Sequence, residues 1–314
     1  MKKIEKKGFL EMSFSWMFAL IVGAFILFLA IFFIVKFVNT EQTSSDIQAS
    51  RSLGIITNPL ETLSGESKVI SLSLSSQTKI YNGCEDAGEF GEQLIRINQQ
   101  ALGKYSDSGL ESSFENKYFF SENMIEGKNF YLFSKPFEFP FNVADLVYVI
   151  PQTKTYCFVN PPKDISDEIN NLKIKSIINV SRQTDCDSED TKVCFEGNCE
   201  VNVNYNSGYV QKGNARFYFE GLDKGKALMY GAIFSEKRLY ECQVQRLMKK
   251  TEKLAEVYES KKGIVKLSGC SSNVNFDSLK SSISIYKDSS DLMPMFSSMN
   301  EIKKQNEIGV CRLW

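Results

Sequence analysis

Hydrophobic positions along the chain fall into three regimes. From Phe14 to Val35 they are continuous: FSWMFALIVGAFILFLAIFFIV is 22 residues long and carries no charge. At about 1.5 Å per residue such a helix spans about 33 Å, enough to cross the hydrocarbon core of a bilayer. The pattern predicts a transmembrane helix over 14–38, with the lipid bilayer as its partner. From Lys68 to Ser235 apolar and polar positions largely alternate, the period of half-buried strands. From Glu236 to the end they recur every three or four residues, the period of amphipathic helices.

Between the first two regimes, Asn39 to Ser50 is rich in Ser, Thr and Gln and has no apolar stripe. Ile47, Leu53, Ile56, Leu60 and Leu63 then recur at spacings of three to six. Residues 39–66 read as a stalk or juxtamembrane helix that ends or restarts near Asn58-Pro59, because the residue before proline is driven from the helical region. A flexible linker is the alternative.

In the region 67–235, KVISLSL, SSQ and TKIYNGC predict a hairpin, and EQLIRINQ (92–99) another strand. Residues 103–116 form a Ser, Gly and Asp rich loop. YFF, NFYLFSKPFEFPF and DLVYVIP follow, aromatic and β-branched, punctuated by Pro136, Pro140 and Pro151. Lys154 to Val159 is a strand, a short helix near 163–172 buries Ile165, Ile169 and Leu172, and IKSIINV returns as a strand. This β-α-β order fits a parallel crossover and an α+β arrangement equally. TKVCFEGNCEVNVNY, GYVQ, NARFYFE and ALMYGAIFS predict further strands.

Residues 236–314 form a C-terminal helical subdomain. Leu239, Tyr240, Val244, Leu247, Met248, Leu254, Val257 and Tyr258 mark one long helix, with Gly263 as its C-cap. Phe276, Leu279, Ile283 and Tyr286 mark a second, and Met295, Phe296, Met299 and Ile302 a third with Pro294 in its first turn. The fold class is α+β: an N-terminal transmembrane helix, then a mostly antiparallel sheet closed by C-terminal helices.

Composition narrows the chemistry. The 314 residues are 43% hydrophobic and 12% aromatic, with 24% charged, which suits a packed core. There is no histidine, which excludes Ser-His-Asp and Cys-His nucleophiles, a histidine general base and His-ligated zinc. Of 37 basic and 38 acidic residues, setting aside five lysines and two glutamates in the apolar segment and its flank leaves 32 and 36. A mildly acidic body has no field to attract phosphate backbones, so nucleic-acid binding is not expected.

Charge also orients the helix. Lys2, Lys3, Lys6 and Lys7 precede it, whereas Arg51 alone stands against Glu41 and Asp46 in the 20 residues after Val38. The positive-inside rule makes 1–13 a cytoplasmic flank and places the bulk of the chain outside. A cleaved signal peptide has a shorter apolar run and an A-x-A site; VKFVNTEQ offers none.

KKGFLEMSF (Lys6 to Phe14) resembles the start of an archaeal type IV pilin or archaellin, where a basic stretch ends in Gly before an apolar helix. The resemblance implies cleavage after Gly8 by a prepilin peptidase. It covers about 30 residues, and the sequence departs from it in one respect: the family carries Glu at the fifth mature position, whereas Glu11 falls third and Ser13 fifth. In layout and composition the whole chain resembles single-pass membrane proteins of archaea.

All eight cysteines, Cys84, Cys157, Cys186, Cys194, Cys199, Cys242, Cys270 and Cys311, follow the apolar helix. An even number confined to one side predicts disulfides. Cys194 and Cys199 flank FEGN and either bridge directly or share Cys186. If the three C-terminal helices alternate in direction, Cys270 and Cys311 meet at one end of the long helix, and Cys242 needs a partner in the sheet. A four-cysteine zinc site is the competing arrangement, but there is no C-x-x-C pair.

Other candidate chemistry is sparse. DCDSEDTKVCFE places Asp185, Asp187, Glu189 and Glu196 at calcium-loop positions 1, 3, 5 and 12, with Asp190 where the turn glycine belongs. GLDKGKA (221–227) falls one residue short of a phosphate loop and reads as a turn between two strands. Asn179-Val180-Ser181 is a glycosylation sequon. Asp164 and Glu168, one helical turn apart, read as charges complementing a helix N-terminus rather than an acid/base pair. Nothing calls for a cofactor. The leading expectation is a non-catalytic cell-envelope protein acting in surface interaction, adhesion or pilin-like assembly with other envelope proteins or itself. A tethered small-ligand or ion-binding sensor, contacting its ligand through Asp185 to Asp190, is the runner-up; a hydrolase using two carboxylates comes third.

Overall fold

The computed structural model describes residues 14–57, 69–101, 103–105, 111–220 and 225–314. Gly8 and the basic flank lie outside the described residues. Helix α1 (Phe14–Ile56) is 43 residues long and unbroken, so the membrane helix expected over 14–38 and the stalk or juxtamembrane helix expected after it are one element as far as Ile56. Between Val38 and Gly54 there is neither Gly nor Pro to interrupt the hydrogen-bond ladder. Trp16–Lys36, of mean hydropathy 3.2, is a span long and apolar enough to cross a membrane, and none of it is buried in the folded region. The lower end of α1 belongs to the fold. Leu53 is buried there, Asp46 Oδ1 accepts the Gln99 N–H at 2.9 Å, and a Cβ on Gly54 would lie 2.5 Å from the Phe114 ring.

The first sheet contains β1 (Val69–Glu85), β2 (Glu92–Ala101), β3 (Lys104–Tyr105), β4 (Glu111–Phe114), β5 (Phe119–Phe120), β6 (Met124–Glu138) and β7 (Asn142–Pro151). Its order is β3-β2-β1-β6-β7-β5, with β4 also on β2. The hairpin expected around SSQ is instead one strand of 17 residues, with a register shift against β6 between Ser73 and Thr78. Ser75 to Gln77 lack the Gly or Asn that a tight hairpin turn needs for positive φ, so the chain bulges rather than reverses. The predicted loop at 103–116 also contains the short strands β3 and β4, both paired with β2. One face of this sheet packs Ile80, Ile95, Ile97, Phe130 and Leu132 against Leu53 of α1.

The second sheet runs β13-β12-β11-β10-β8-β9, from β8 (Tyr156–Val159), β9 (Ile177–Val180), β10 (Thr191–Cys194), β11 (Val201–Asn204), β12 (Tyr209–Lys212) and β13 (Ala215–Tyr218). Helix α2 (Lys163–Leu172) joins β8 to β9 as a parallel crossover, burying Ile165, Ile169 and Leu172 as the periodicity predicts. β8, β10 and β11 are also mutually parallel, whereas β12 and β13 turn back antiparallel.

ALMYGAIF, expected to be a strand, is helix α3 (Lys226–Phe234) with every residue buried. A short segment apolar on all sides carries no period that separates buried strand from buried helix. Gly231 lets the Phe120 ring approach where a Cβ would clash at 2.7 Å. Helix α4 (Lys237–Leu267) passes through Gly263, the predicted C-cap; the left-handed glycine beyond its end is Gly269, with φ 82°. Helices α5 (Asp277–Ser284) and α6 (Leu292–Ile308) complete the chain. The main core joins the other face of the first sheet, the second sheet and α3 to α6 through Phe133, Tyr148, Tyr230, Phe234, Tyr240 and Leu247.

Polar groups dock α4 on the first sheet. Arg246 is fully buried and donates to the carbonyls of Phe90, Phe114, Glu115 and Lys117 and to Gln243 Oε1, its guanidinium 4.6 Å above the Tyr118 ring. Burial lowers its pKa. Gln243 reaches Gln93, which in turn donates to Asn82 at 2.6 Å. The side-chain N–H groups of Arg246, Gln243, Gln93 and Asn82 all meet acceptors, as burial requires.

Candidate functional site

The eight cysteines form four pairs at disulfide distance. Cys84–Cys242 ties β1 to α4, Cys157–Cys186 spans 29 residues, Cys194–Cys199 closes the FEGN turn, and Cys270–Cys311 joins the ends of α4 and α6. Cys242 thus finds its partner in the first sheet. Cys186 goes to Cys157, so the direct Cys194–Cys199 bridge holds over its alternative.

Because β8, β10 and β11 are parallel, their carboxyl ends share one edge, where the loops that follow them are free to diverge. The loops Asn160-Pro161-Pro162, Phe195–Cys199 and Tyr205–Gly208 enclose a cleft of about 650 Å³ at that edge. Its polar lining is largely neutral amide and phenol: Asn160, Asn198, Asn202, Asn204, Asn206 and Gln211 with Tyr205 and Tyr209. Among the described residues Glu196 supplies its one carboxylate, and no Lys or Arg lines it. Phe195 and the two prolines add apolar surface.

These amides hold the loops in shape. Asn202 accepts the Cys199 N–H and donates back to the Cys199 carbonyl, both at 2.8 Å, which fixes the disulfide turn. Asn204 accepts the Ser207 N–H at 3.1 Å and donates to the Tyr209 hydroxyl at 3.1 Å. Tyr205 donates to Asp164 at 2.9 Å. Asn160 adopts φ 49°, a left-handed conformation that Asn tolerates better than most residues, and donates to Glu196 at 3.2 Å.

The opposite edge is different. A cleft of about 230 Å³ there is lined by Glu122, Lys154, Tyr156, Glu200, Lys212 and Glu236. Lys212 Nζ donates to the carbonyls of Ile233 at 2.7 Å and Ser235 at 2.8 Å, at the end of α3. Burial pushes its pKa down to about 7; Glu122, Glu200 and Glu236 oppose the shift and Lys154 adds to it. A neutral amine has two N–H donors, and Lys212 has two carbonyl acceptors. Lys154 pairs with Glu122 and Asn123 with Glu236. Burial, then Glu122 and Glu200, raise the Tyr156 phenol.

Of the calcium candidates, Asp185 pairs with Arg182 at 3.3 Å, Asp190 accepts the Asp187 N–H at 2.9 Å, and Glu189 is exposed. Glu196 lies apart from them in the amide-rich cleft. Among the described residues no group of three or more Cys, Asp or Glu is arranged to hold a metal. The acidic loop is a strap between β9 and β10, pinned to β8 by Cys157–Cys186. Asp164 pairs with Lys226 at 3.2 Å and Glu168 with Lys135, so both carboxylates join α2 to its neighbours. Of GLDKGKA, 221–224 lie outside the described residues, and the segment leads into α3 rather than a second strand. Asn179 donates to Ser166 at 2.6 Å, so a glycan there would displace a packed contact.

The amide-rich cleft was not among the sequence candidates. Its visible signal was the spacing of Asn202, Asn204 and Asn206 in VNVNYNSGY, which alternation alone assigned to a strand and its turn. Comparison with family models, with curated proteins and with solved structures found no match.

Proposed function

We propose that the chain is a single-pass cell-envelope protein, N-terminus in the cytoplasm and bulk outside, whose folded region is a non-catalytic interaction module. The observation that carries it is the contrast along the chain between an apolar span that, among the described residues, is nowhere buried and a body in which every cysteine is bridged. An isolated 21-residue apolar helix is stable in lipid, and four disulfides persist in an oxidising compartment. The wide cleft at the carboxyl edge is where this module meets its partner, because its side chains brace loops and leave Asn198, Asn204 and Asn206 exposed.

Protease treatment of intact cells, followed by a non-reducing peptide map, tests the topology. The body is degraded from outside and all four pairs are recovered intact; a protected body with free thiols overturns the proposal. Pilin-like assembly is the finer form of the same reading. It requires a mature chain starting at Phe9, so an intact N-terminus by mass spectrometry removes assembly and leaves the anchor.

A further inference from the structure

We infer that the cleft at the carboxyl edge of the second sheet is a binding site for a neutral carbohydrate. The proposal deepens the interaction-module reading by naming its ligand class, and it stands on the donor set. A phosphate or carboxylate ligand needs a cation or clustered backbone donors, yet among the described residues no Lys or Arg lines this cleft. A tightly held metal needs several carboxylates or thiolates converging, and among the described residues no group of three or more Cys, Asp or Glu does so. An apolar ligand needs a greasy wall, yet five asparagines line this one.

What remains is a ligand that both donates and accepts many hydrogen bonds without net charge. An amide carries two donors and an acceptor with two lone pairs; Asn202 and Asn204 each use one donor and one lone pair on their loops and keep the others, beside the exposed amides of Asn198 and Asn206. That complements vicinal hydroxyls. Sugars also present apolar C–H faces, and Phe195 and Tyr205, with ring centroids 6.3 Å apart, supply aromatic surface beside the amides. At about 650 Å³ the cleft lies within the range that small ligands fill. The loops are set before any ligand arrives, through the Asn202 and Asn204 bonds and the Cys194–Cys199 bridge, which lowers the ordering cost of binding. The Lys212 cleft, with its committed charges, makes no such offer.

The test uses the full chain in a detergent without a sugar headgroup and saturation-transfer NMR. The probes are N,N′-diacetylchitobiose, cellobiose and mannobiose at millimolar concentration, beside inorganic phosphate, calcium chloride and an uncharged Gly-Ser peptide. At least one disaccharide receives saturation from the protein. Asn198→Ala with Asn206→Ala weakens that binding by about tenfold with the melting temperature unchanged, and Glu196→Gln leaves it within about twofold. The proposal is overturned if no disaccharide binds, if the double variant binds as the parent does, or if only the peptide, phosphate or calcium binds. Binding is read on purified protein whichever side of a membrane it faces, so it fails or holds independently of the topology.

Discussion

The two edges of the second sheet are built from the same short strands but spend their polar groups differently. At the amino edge the polar groups reach across elements: Lys212 closes the end of α3, Lys154 meets Glu122, and Asn123 meets Glu236. At the carboxyl edge Asn202 and Asn204 act locally, on Cys199 and Ser207, while Asn160 and Tyr205 reach across to Glu196 and Asp164. Groups committed between elements hold the fold together. Groups that brace a loop from within leave the loop's outer surface for recognition, and so the wide amide-rich cleft, rather than the charged one, is the site we assign.

The largest test cuts the strap between the edges. Replacing Cys157 and Cys186 by Ser opens a loop of 29 residues and costs about 3.5 kcal/mol on loop-closure grounds; urea denaturation measures it. The comparison predicts that this loss comes without a change in sugar affinity, and a parallel loss of binding would join the strap to the site.

Lys212→Met comes next, at about 2 kcal/mol, because two carbonyls at the end of α3 lose their donor. It carries a pH signature. A lysine whose folded pKa is near 7 and whose unfolded value is 10.5 is protonated in the unfolded chain and largely neutral in the fold between those limits. Stability from this group therefore rises as pH goes up from 7, and the penalty is complete below 7. The urea midpoint of the parent shifts upward between pH 7 and pH 9 relative to that of the variant. Equal shifts in both would remove Lys212 from the account.

Cys194→Ser with Cys199→Ser spans only five residues. The loop-closure estimate is about 2 kcal/mol or less, and the main loss is in sugar binding as the cleft wall loosens. Smallest is Asn160→Gly, within about 0.5 kcal/mol, since glycine takes the left-handed conformation at φ 49° without strain. If Asn160 contacts ligand, binding falls while stability holds, which separates the two uses of one residue.

Much of the architecture was legible in the sequence because it follows from local periodicity. The continuous run at Phe14 to Val35 and the stripe from Leu239 to Tyr258 gave α1 and α4, and Ile165, Ile169 and Leu172 gave α2. The errors fall where period is silent. Ser75 to Gln77 bulge because strand pairing on both sides of β1 outweighs a weak turn signal. Ala227 to Phe234 are helical because they are enclosed on all sides, which no local pattern records. The Asp185 to Asp190 acids matched a spacing, but spacing binds a cation only where the backbone turns each carboxylate inward, and here they serve a strap.

By itself the sequence determined which segments are apolar, how they repeat, and that eight cysteines and no histidine accompany them; these properties depend on neighbours a few residues away. The tertiary structure alone decided that Cys84 meets Cys242 and Cys157 meets Cys186, that Arg246 finds its acceptors in loops more than a hundred residues distant, and that β8, β10 and β11 run the same way. That last choice, made by long-range strand pairing, gathers Asn160, Asn198 and Asn206 at one edge and makes a cleft out of residues the chain keeps apart.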